Sequence, residues 1–428
     1  MFRAISAKIL LGSKKPSKTS MRAGDDQGLP PRPTLRIDLA TASKTGKLHA
    51  NEDRAVVLRR FPSNDDSSSE RKPGEFSPPP SPSSATSPSH QQSPTQRLQL
   101  SNIKYLAVFD GHGGSQCAAF MRERLHEHIL LCIVQTFGTS STSKLERFEQ
   151  LKYVLPDAFK AADDEFCEMY PSNTSGACGV IALIHDREVL VAHVGDCRAI
   201  LRCNGETIPL TRDHRPSNLE EYRRVLASGG TVVDGRVCGI LHPSRSFGDT
   251  DVRAEFGDGV VISEPDITYV QLETALEVET MLAAGTTEES PKAAARRLGG
   301  NHSASSSTSQ VIAYTFLLLS SDGVFEYLDH EEACEMIETG LRRFSGDPSR
   351  AVERLIKVAA EHSQDDCTVV LAVWVDSSSQ DTPTRAKSQR FVLSHRQAST
   401  EDDVSTSREE TTRDESNVQP FTEDRAEE

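Results

Sequence analysis

The stretch GVIALIHDREVLVAHVGDCRAILRCNG, residues 179–205, decides the fold. Three strand-like apolar runs follow one another here with links of only three residues: the runs are 179–184, 188–194 and 198–202, the links are HDR and GDC, and Asn204-Gly205 comes after them. Such short links can join antiparallel neighbours, whereas parallel strands need a crossover of about a dozen residues or more. The stretch therefore predicts an antiparallel meander.

Helical periodicity lies in other parts of the chain. Apolar residues recur at helical spacing over 117–134, 144–169, 219–227, 331–344 and 351–361. Asp329 and Asp347-Pro348 precede the last two segments and are typical residues of helix starts. Because strand-like and helical segments come in groups and do not alternate strictly, we expect an α+β fold in which helices cover antiparallel sheets.

Composition divides the chain into folded and unfolded parts. Residues 62–94 are dominated by Ser and Pro, with Ser-Pro steps at Ser77, Ser81, Ser87 and Ser93, and cannot bury a core. We expect a folded body over 35–376 that is interrupted by disordered inserts at about 62–97 and 277–310. Strand-like runs at 54–58 and 103–109 can pair across the first insert, because closing a long flexible loop costs little. The segment 1–34 is predicted as a disordered basic region and 377–428 as a disordered acidic tail.

Charge and cysteine usage exclude several classes of protein. The chain has 48 basic and 63 acidic residues, a net charge of -15, which disfavours a nucleic-acid partner. No apolar run approaches the roughly 18 residues of a membrane span, so we expect no membrane partner. The nine cysteines include no Cys-x-x-Cys pair, which argues against a disulfide framework and a zinc cluster and favours a reducing compartment.

The first 24 residues contain six basic residues and no acid. They lack the long apolar stretch of a secretory signal, and their composition fits either a disordered basic tail or a mitochondrial transit peptide. We expect the tail, and with it a cytoplasmic or nuclear location; a mitochondrial location is the alternative.

Acidic residues recur at the ends of apolar runs, in five places: Glu52-Asp53, Asp110, Asp196, Asp322 and Asp365-Asp366. A single Asp-Gly step is more often a turn than a ligand. Five acidic sites at strand edges would share one rim, where carboxylates repel one another unless a cation lies between them. Hard divalent cations bind carboxylate and carbonyl oxygens, so the pattern predicts a divalent-cation site.

His112 follows two residues after Asp110. An isolated histidine is more often structural, but beside a metal-binding carboxylate it becomes a candidate general acid. The glycine-rich segment 109–114 lacks the full Gly-x-Gly-x-x-Gly spacing of a dinucleotide site. No Gly-x-Ser-x-Gly nucleophile elbow occurs, so no motif in the sequence supports a serine hydrolase.

Nine motifs, in this order, resemble those of the metal-dependent Ser/Thr protein phosphatases of type 2C, the PPM-type phosphatases: NEDR (51–54), VFDGHGG (108–114), VGDCRA (194–199), LTRDHRP (210–216), SGG (228–230), SRSFGD (244–249), SEPD (263–266), SDG (321–323) and QDDCTV (364–369). The resemblance covers about 35–376 apart from the two inserts. It implies a central β-sandwich of two antiparallel sheets, flanked by helices on both outer faces. It also implies two Mg²⁺ or Mn²⁺ ions at one edge.

The resemblance also assigns roles to individual residues. Asp110 would bridge the two ions, Gly111 would offer its carbonyl oxygen, and Glu52 would complete the second site. Asp322 and Asp365 would hold the first ion.

Two further roles come from the same resemblance, and the role of His112 follows from the chemistry of the departing oxygen. Asp53 would orient the attacking water, and His112 would donate a proton to the departing serine or threonine oxygen. Asp196 together with Asp322 would hold a weaker third ion.

Several positions depart from the family pattern. Leu48, beside Lys47, stands where the family often has an arginine that grips the substrate phosphate, so the residue that contacts phosphate is unknown. Asp366 replaces the usual Asn, Phe325-Glu326 replaces Trp-Asp, and His242-Pro243 precedes the SRSFGD motif. None of these changes removes a ligand carboxylate.

The resemblance implies a monomeric protein phosphatase that hydrolyses phosphoserine and phosphothreonine in phosphoprotein substrates. A pseudophosphatase that binds phosphoproteins without hydrolysis is the alternative, and Leu48 supports it. A two-metal phosphodiesterase or nuclease is disfavoured by the acidic balance.

Overall fold

The computed structural model describes residues 35–47, 49–61, 100–138, 147–274, 314–376 and 391–397. The segment 1–34, both predicted inserts, Leu48 and most of the predicted tail lie outside these ranges.

The described strands are β1 (Leu35–Lys44), β2 (Arg54–Leu58), β3 (Lys104–His112), β4 (Gly176–His185), β5 (Glu188–Val194), β6 (Arg198–Cys203), β7 (Glu206–Pro209), β8 (Val232–Val233), β9 (Arg236–Val237), β10 (Phe247–Gly248), β11 (Asp266–Thr274), β12 (Thr315–Ser320), β13 (Cys367–Asp376) and β14 (Phe391–Gln397). The described α-helices are α1 (Gln116–Phe137), α2 (Leu155–Met169), α3 (Leu219–Ala227), α4 (Thr250–Phe256), α5 (His330–Arg343) and α6 (Pro348–His362). Short 3₁₀ helices span Leu100–Asn102, Phe148–Tyr153 and Asp322–Glu326.

The strands form two antiparallel sheets. One has the order β1-β13-β12-β6-β7, and the other has the order β14-β11-β5-β4-β3-β2, with the short β10 paired to β4. The ribbon β8-β9 is separate from both sheets. The predicted α+β class is confirmed.

Apolar layers hold sheets and helices together. Strand β3 directs Tyr105, Ala107 and Phe109 into the layer that contains the buried faces of α1 and α2. The alternate residues Leu106 and Val108 lie in the layer between the two sheets. Strand β12 alternates in the same way between that central layer and the buried faces of α5 and α6. The resulting order of helices, sheet, sheet and helices confirms the predicted sandwich, and strands covered on both faces explain the continuous apolar runs.

The predicted meander is wrong after β5. Strands β4 and β5 form a hairpin, but β6 pairs with β12 and β7 in the other sheet. Gly195 makes this crossover possible, because it has a φ of +83° and a Cβ there would lie 2.2 Å from the Cys178 sulfur. The crossover also carries Asp196, which is buried.

Two pairings concern the segments beside the predicted disordered regions. Strands β2 and β3 pair across the first insert, from Arg54 opposite Phe109 to Leu58 opposite Tyr105, as predicted. In the predicted tail, however, 391–397 forms β14 and pairs antiparallel with β11, so a tail without structure is wrong for this segment. An added strand satisfies the backbone N–H and C=O groups that the edge of β11 would otherwise leave unpaired.

Helix starts follow ordinary capping chemistry. The carboxylates of Asp329 and Asp347 accept backbone N–H groups at the starts of α5 and α6, at 2.8 and 2.9 Å. Within the described part of the segment predicted as helical over 144–169, a 3₁₀ helix spans Phe148–Tyr153 and the α-helix begins at Leu155. Pro156 has no N–H and fits the first turn of a helix. In the described part of the chain, no helix combines the length and apolar character that a bilayer span requires.

We predict that Gly195→Ala destabilises the fold at the crossover. A positive φ costs alanine about 1–2 kcal/mol, and the contact with Cys178 adds about 1–3 kcal/mol of overpacking. Gly205→Ala is the matched control, since Gly205 has a φ of +82° but a Cβ there would have no neighbour within 4 Å. Urea unfolding followed by circular dichroism should show a clearly larger loss for Gly195→Ala, and equal losses would contradict the account of the crossover.

Candidate active site

A cavity of about 660 Å³ gathers most of the predicted site residues. Its lining comes from the ends of β3, β5, β12 and β13 and from the segment around β9. The predicted residues that line it are Glu52, Asp110, Gly111, His112, Asp196, Asp322 and Asp365.

Three carboxylates form the centre of this cavity. One oxygen each of Asp110, Asp196 and Asp322 lies within 4.8 Å of the other two. Asp110 lies opposite Cys178 in the β3–β4 pairing. The Asp110-Gly111 step is therefore part of a strand and does not form a turn. Asp196 belongs to the β5–β6 crossover, and Asp322 opens the 3₁₀ helix after β12. Residues from both sheets therefore meet at one point.

Burial and nearby negative charges oppose the ionisation of Asp110 and Asp322. Burial raises the pKa of Asp110 well above its ordinary value, and the charges of Asp53, Asp322 and Asp196 raise it further. Burial and Asp196 raise the pKa of Asp322 to about 7, against the opposing effect of Arg215. A bound divalent cation would remove this repulsion, and carboxylate oxygens are the donors that Mg²⁺ and Mn²⁺ prefer. The residues present thus fit such a site.

Arg215 supplies a positive charge that the sequence argument did not assign. Its Nε donates to Asp196 at 2.7 Å, and a terminal nitrogen donates to Asp322 at 2.6 Å. The two carboxylates predicted for a weaker third ion are therefore both paired with one guanidinium. Arg215 belongs to the LTRDHRP motif, whose position in the family order was the available signal.

Glu52 and Gly111 lie against each other at the cavity wall. The Glu52 carboxylate accepts the Gly114 N–H at 3.3 Å. A Cβ on Gly111 would lie 2.7 Å from the Glu52 carbonyl oxygen, so only glycine fits this close approach. This packing brings the Glu52 side chain and the Asp110–Gly111 backbone to the same wall.

Asp53 lies outside the set of described residues that line the cavity. Its carboxylate is 5% exposed and accepts the Ser321 hydroxyl at 2.8 Å. Burial raises the pKa of Asp53 to about 6, while hydrogen bonds with Thr368 and Ser321 lower it. Asp53 is thus a buried acid behind the cluster, close enough to Asp110 to raise the pKa of that residue.

Two departures from the family pattern have structural roles. The Asp366 carboxylate accepts the backbone N–H groups of Gly46 and Glu52, each at 2.7 Å. Glu326 accepts the Ser363 hydroxyl at 2.6 Å and the Gln364 N–H at 2.9 Å. The two acids therefore fix the loop that carries Glu52 and the turn that carries Asp365.

His112 has a partner that the sequence argument did not identify. Its Nε2 lies 2.9 and 3.0 Å from the two carboxylate oxygens of Asp249. Burial lowers the pKa of His112, but Asp249 outweighs burial and the net pKa lies above the ordinary value. Asp249 ends the SRSFGD motif, so its place in the family order was again the only signal.

A family model for protein phosphatase 2C matches residues 83–286 and 305–368, more than half of the chain. The chain belongs to the protein phosphatase 2C family. This family membership agrees with the resemblance read from the nine motifs.

Individual relatives place this phosphatase 2C chain within the family. The probable protein phosphatase 2C 47 of Oryza sativa subsp. japonica is 29% identical over 274 residues, 63% of this chain and 60% of the rice protein. The protein phosphatase 2C homolog 1 of Saccharomyces cerevisiae is 28% identical over 287 residues, 63% of this chain and 82% of the yeast protein. The chain spans 60 and 66% of the length of two rice relatives.

A solved structure supports the fold. The crystal structure of a serine-threonine phosphatase 2C from Toxoplasma gondii matches with a TM-score of 0.50 and 18% identity, over 81% of this chain and 100% of that chain. At this identity the match establishes the architecture of this phosphatase 2C chain and nothing finer.

We predict that the cation-free protein loses stability as the pH rises. With a pKa of about 7, folded Asp322 keeps a proton that the unfolded chain releases near pH 4. The stability from this proton is fully present below about pH 4 and is lost as the pH rises through about 7. In EDTA, the thermal midpoint should therefore fall between about pH 4 and about pH 7 and level off above about pH 7.

Saturating Mn²⁺ should raise the midpoint and remove this fall, because the cation replaces the proton. Asp322→Asn should show a shallower fall in EDTA, since the titrating group is absent. An unchanged slope in Asp322→Asn would contradict the assignment.

Proposed function

We propose that this chain is a metal-dependent protein phosphatase that hydrolyses phosphoserine and phosphothreonine in proteins. The observation that carries the proposal is the cluster of three carboxylates within 4.8 Å in a cavity that also exposes His112. Family membership supports the reaction class. The chemistry of the cluster supports a divalent cation, Mg²⁺ or Mn²⁺, as the cofactor.

Five residues would hold two ions. Asp110 would contact both ions, Gly111 and Glu52 would complete one site, and Asp322 and Asp365 would complete the other. When bound, two divalent cations lower the pKa of a water molecule and offset charge on the transferring phosphoryl group. A third ion at Asp196 and Asp322 would have to displace Arg215, so two ions are the simpler assignment.

Two residues of the chain act on protons and water in this proposal. Asp53, held by the Ser321 hydroxyl, orients the attacking water from behind the cluster. His112 donates a proton to the departing serine or threonine oxygen, which is a strongly basic alkoxide without it.

Arg236 is the best candidate for contacting the substrate phosphate. Among the arginines that line the cavity, Arg198 is held by both oxygens of Asp213, at 2.9 and 2.8 Å. Arg215 is held by two carboxylates of the cluster. Arg236 on β9 donates to the Ile240 carbonyl at 2.9 Å, and within the described ranges no carboxylate pairs with it. Its remaining N–H groups can bind a phosphate in the way that guanidinium groups favour.

The alternative is a pseudophosphatase that binds phosphoproteins without hydrolysing them. The observation in its favour is Leu48, where the family often has an arginine. Arg236 offers a replacement for that arginine, and the cluster carboxylates are retained, which favours the enzyme.

We predict metal-dependent release of phosphate from a phosphothreonine peptide. The purified protein should be active with Mn²⁺ or Mg²⁺ and inactive in EDTA, and Asp110→Ala should abolish turnover. Glu335→Gln, which changes an exposed acid on α5, is the control and should keep full activity. Full activity in EDTA would exclude the two-ion mechanism, and tight peptide binding without phosphate release would favour the pseudophosphatase.

We predict that Arg236→Ala raises KM for the phosphopeptide about 10- to 100-fold, because a charge-assisted hydrogen bond contributes about 1.5–3 kcal/mol. The change in kcat should be smaller, and Arg236→Lys should recover only part of the loss because ammonium lacks the paired geometry. Arg212→Ala is the control, since Arg212 pairs with the exposed Glu220 outside the cavity lining. An unchanged KM in Arg236→Ala would place the phosphate contact elsewhere.

A further inference from the structure

The ring of His112 is oriented by a residue 137 positions away in the chain. Nε2 faces both oxygens of Asp249, and an ionised carboxylate can only accept hydrogen bonds, so Nε2 carries a proton. The His112 side chain is 29% exposed and lines the cavity, whereas the Asp249 side chain is 2% exposed. The contact with Asp249 therefore leaves Nδ1 as the ring nitrogen available to a ligand in the cavity.

Asp249 is itself held in an unusual conformation. Its backbone is left-handed, with φ +51° and ψ +44°, a region that residues other than glycine adopt infrequently. The Ser246 hydroxyl donates to its Oδ2 at 2.5 Å, and its own N–H donates to the Ser175 carbonyl at 3.3 Å. Strain of this kind persists only where the surroundings impose it, and it is concentrated at functional sites.

A buried ion pair supports the turn that carries Asp249. The Asp163 carboxylate accepts the Gly248 N–H at 2.8 Å and pairs with Arg253 at 2.5 Å. Arg253 also donates to the Ser246 carbonyl at 2.9 Å. Residues of α2 and α4 thus fix the backbone of Ser246 and Gly248, directly before Asp249.

The side chains of His112 and Asp249 are closely packed against Gly176. A Cβ on Gly176 would lie 2.3 Å from His112 Nε2 and 2.4 Å from Asp249 Oδ2. Strand β4 therefore presses against both partners, and His112 cannot change its ring orientation without losing the Asp249 contact.

We propose that Asp249 is a positioning residue that holds His112 with Nε2 bound and Nδ1 presented to the leaving oxygen of the substrate. The role rests on the proposed phosphatase function. As the oxygen of the attacking water bonds to phosphorus and the P–O bond to the serine or threonine oxygen breaks, the doubly protonated ring gives its Nδ1 proton to the departing alkoxide. A proton released by the attacking water then restores the ring. Water is the only co-reactant, and Asp249 keeps its charge throughout.

The test compares two substrates whose leaving groups need a proton to different degrees. A nitrophenolate leaves without help, whereas a threonine alkoxide needs an acid. Asp249→Asn should lower kcat/KM for a phosphothreonine peptide about 10- to 100-fold, in the range that misplacement of a catalytic group produces. Hydrolysis of nitrophenyl phosphate and the Mn²⁺ titration midpoint should change less than about threefold.

A double-mutant cycle separates positioning from a structural role. His112→Gln alone should lower phosphopeptide hydrolysis about 10²- to 10⁴-fold. Adding Asp249→Asn to His112→Gln should cause no further loss, because Asp249 acts only through the ring. Ser246→Ala, which removes one hydrogen bond to Asp249, should show the same substrate selectivity with a smaller effect. Asp251→Asn changes an exposed acid on α4 and should match the wild type.

Additive losses in the double mutant, equal losses on both substrates or a weakened Mn²⁺ titration would overturn the positioning role, because each indicates a structural residue. Wild-type rates in a folded Asp249→Asn protein would overturn it as well. A wild-type protein that hydrolyses neither substrate would instead refute the proposed function, and the positioning role would fall with it.

Discussion

The confinement of several partly or fully buried carboxylates at one point is the constraint on which the rest of this structure depends. Asp110, Asp196 and Asp322 bring oxygens within 4.8 Å of one another, and burial adds to their repulsion. Without surroundings that hold them in place, such carboxylates would take up protons or move apart. It is kept together because each acid is attached to a strand or crossover whose neighbours are apolar and fully packed, and because Arg215 balances part of the charge.

The two sheets contribute to the cluster from opposite sides. Asp110 belongs to the β3 sheet, whereas Asp322 follows β12 of the other sheet, and Asp196 lies where the chain crosses between them. The apolar layer between the sheets therefore sets the distances within the cluster. Close contacts within the β3 sheet fix two glycines beside the cluster, since a Cβ on Gly195 would lie 2.2 Å from the Cys178 sulfur and a Cβ on Gly111 would lie 2.7 Å from the Glu52 carbonyl oxygen.

The chain between β7 and β11 contributes a different part of the site. It supplies Arg236 to the cavity and Asp249 to His112. The Arg253–Asp163 ion pair ties it to α2, and the Arg245–Glu221 ion pair joins two of its own residues. The strand ends thus provide the carboxylate cluster, and this segment provides Arg236, Asp249 and the Arg215 side chain that pairs with two of those carboxylates.

The sequence alone determined the apolar runs, the capped helices and the acids at strand ends, because each depends on residues close together in the chain. It also indicated the family, through nine motifs in order. Only the tertiary structure decided that β6 leaves the meander, that β14 pairs with β11, and that Asp249 and Arg215 reach His112 and the cluster. These are contacts between segments far apart in sequence, where no local pattern specifies a partner and the outcome depends on how the sheets pack.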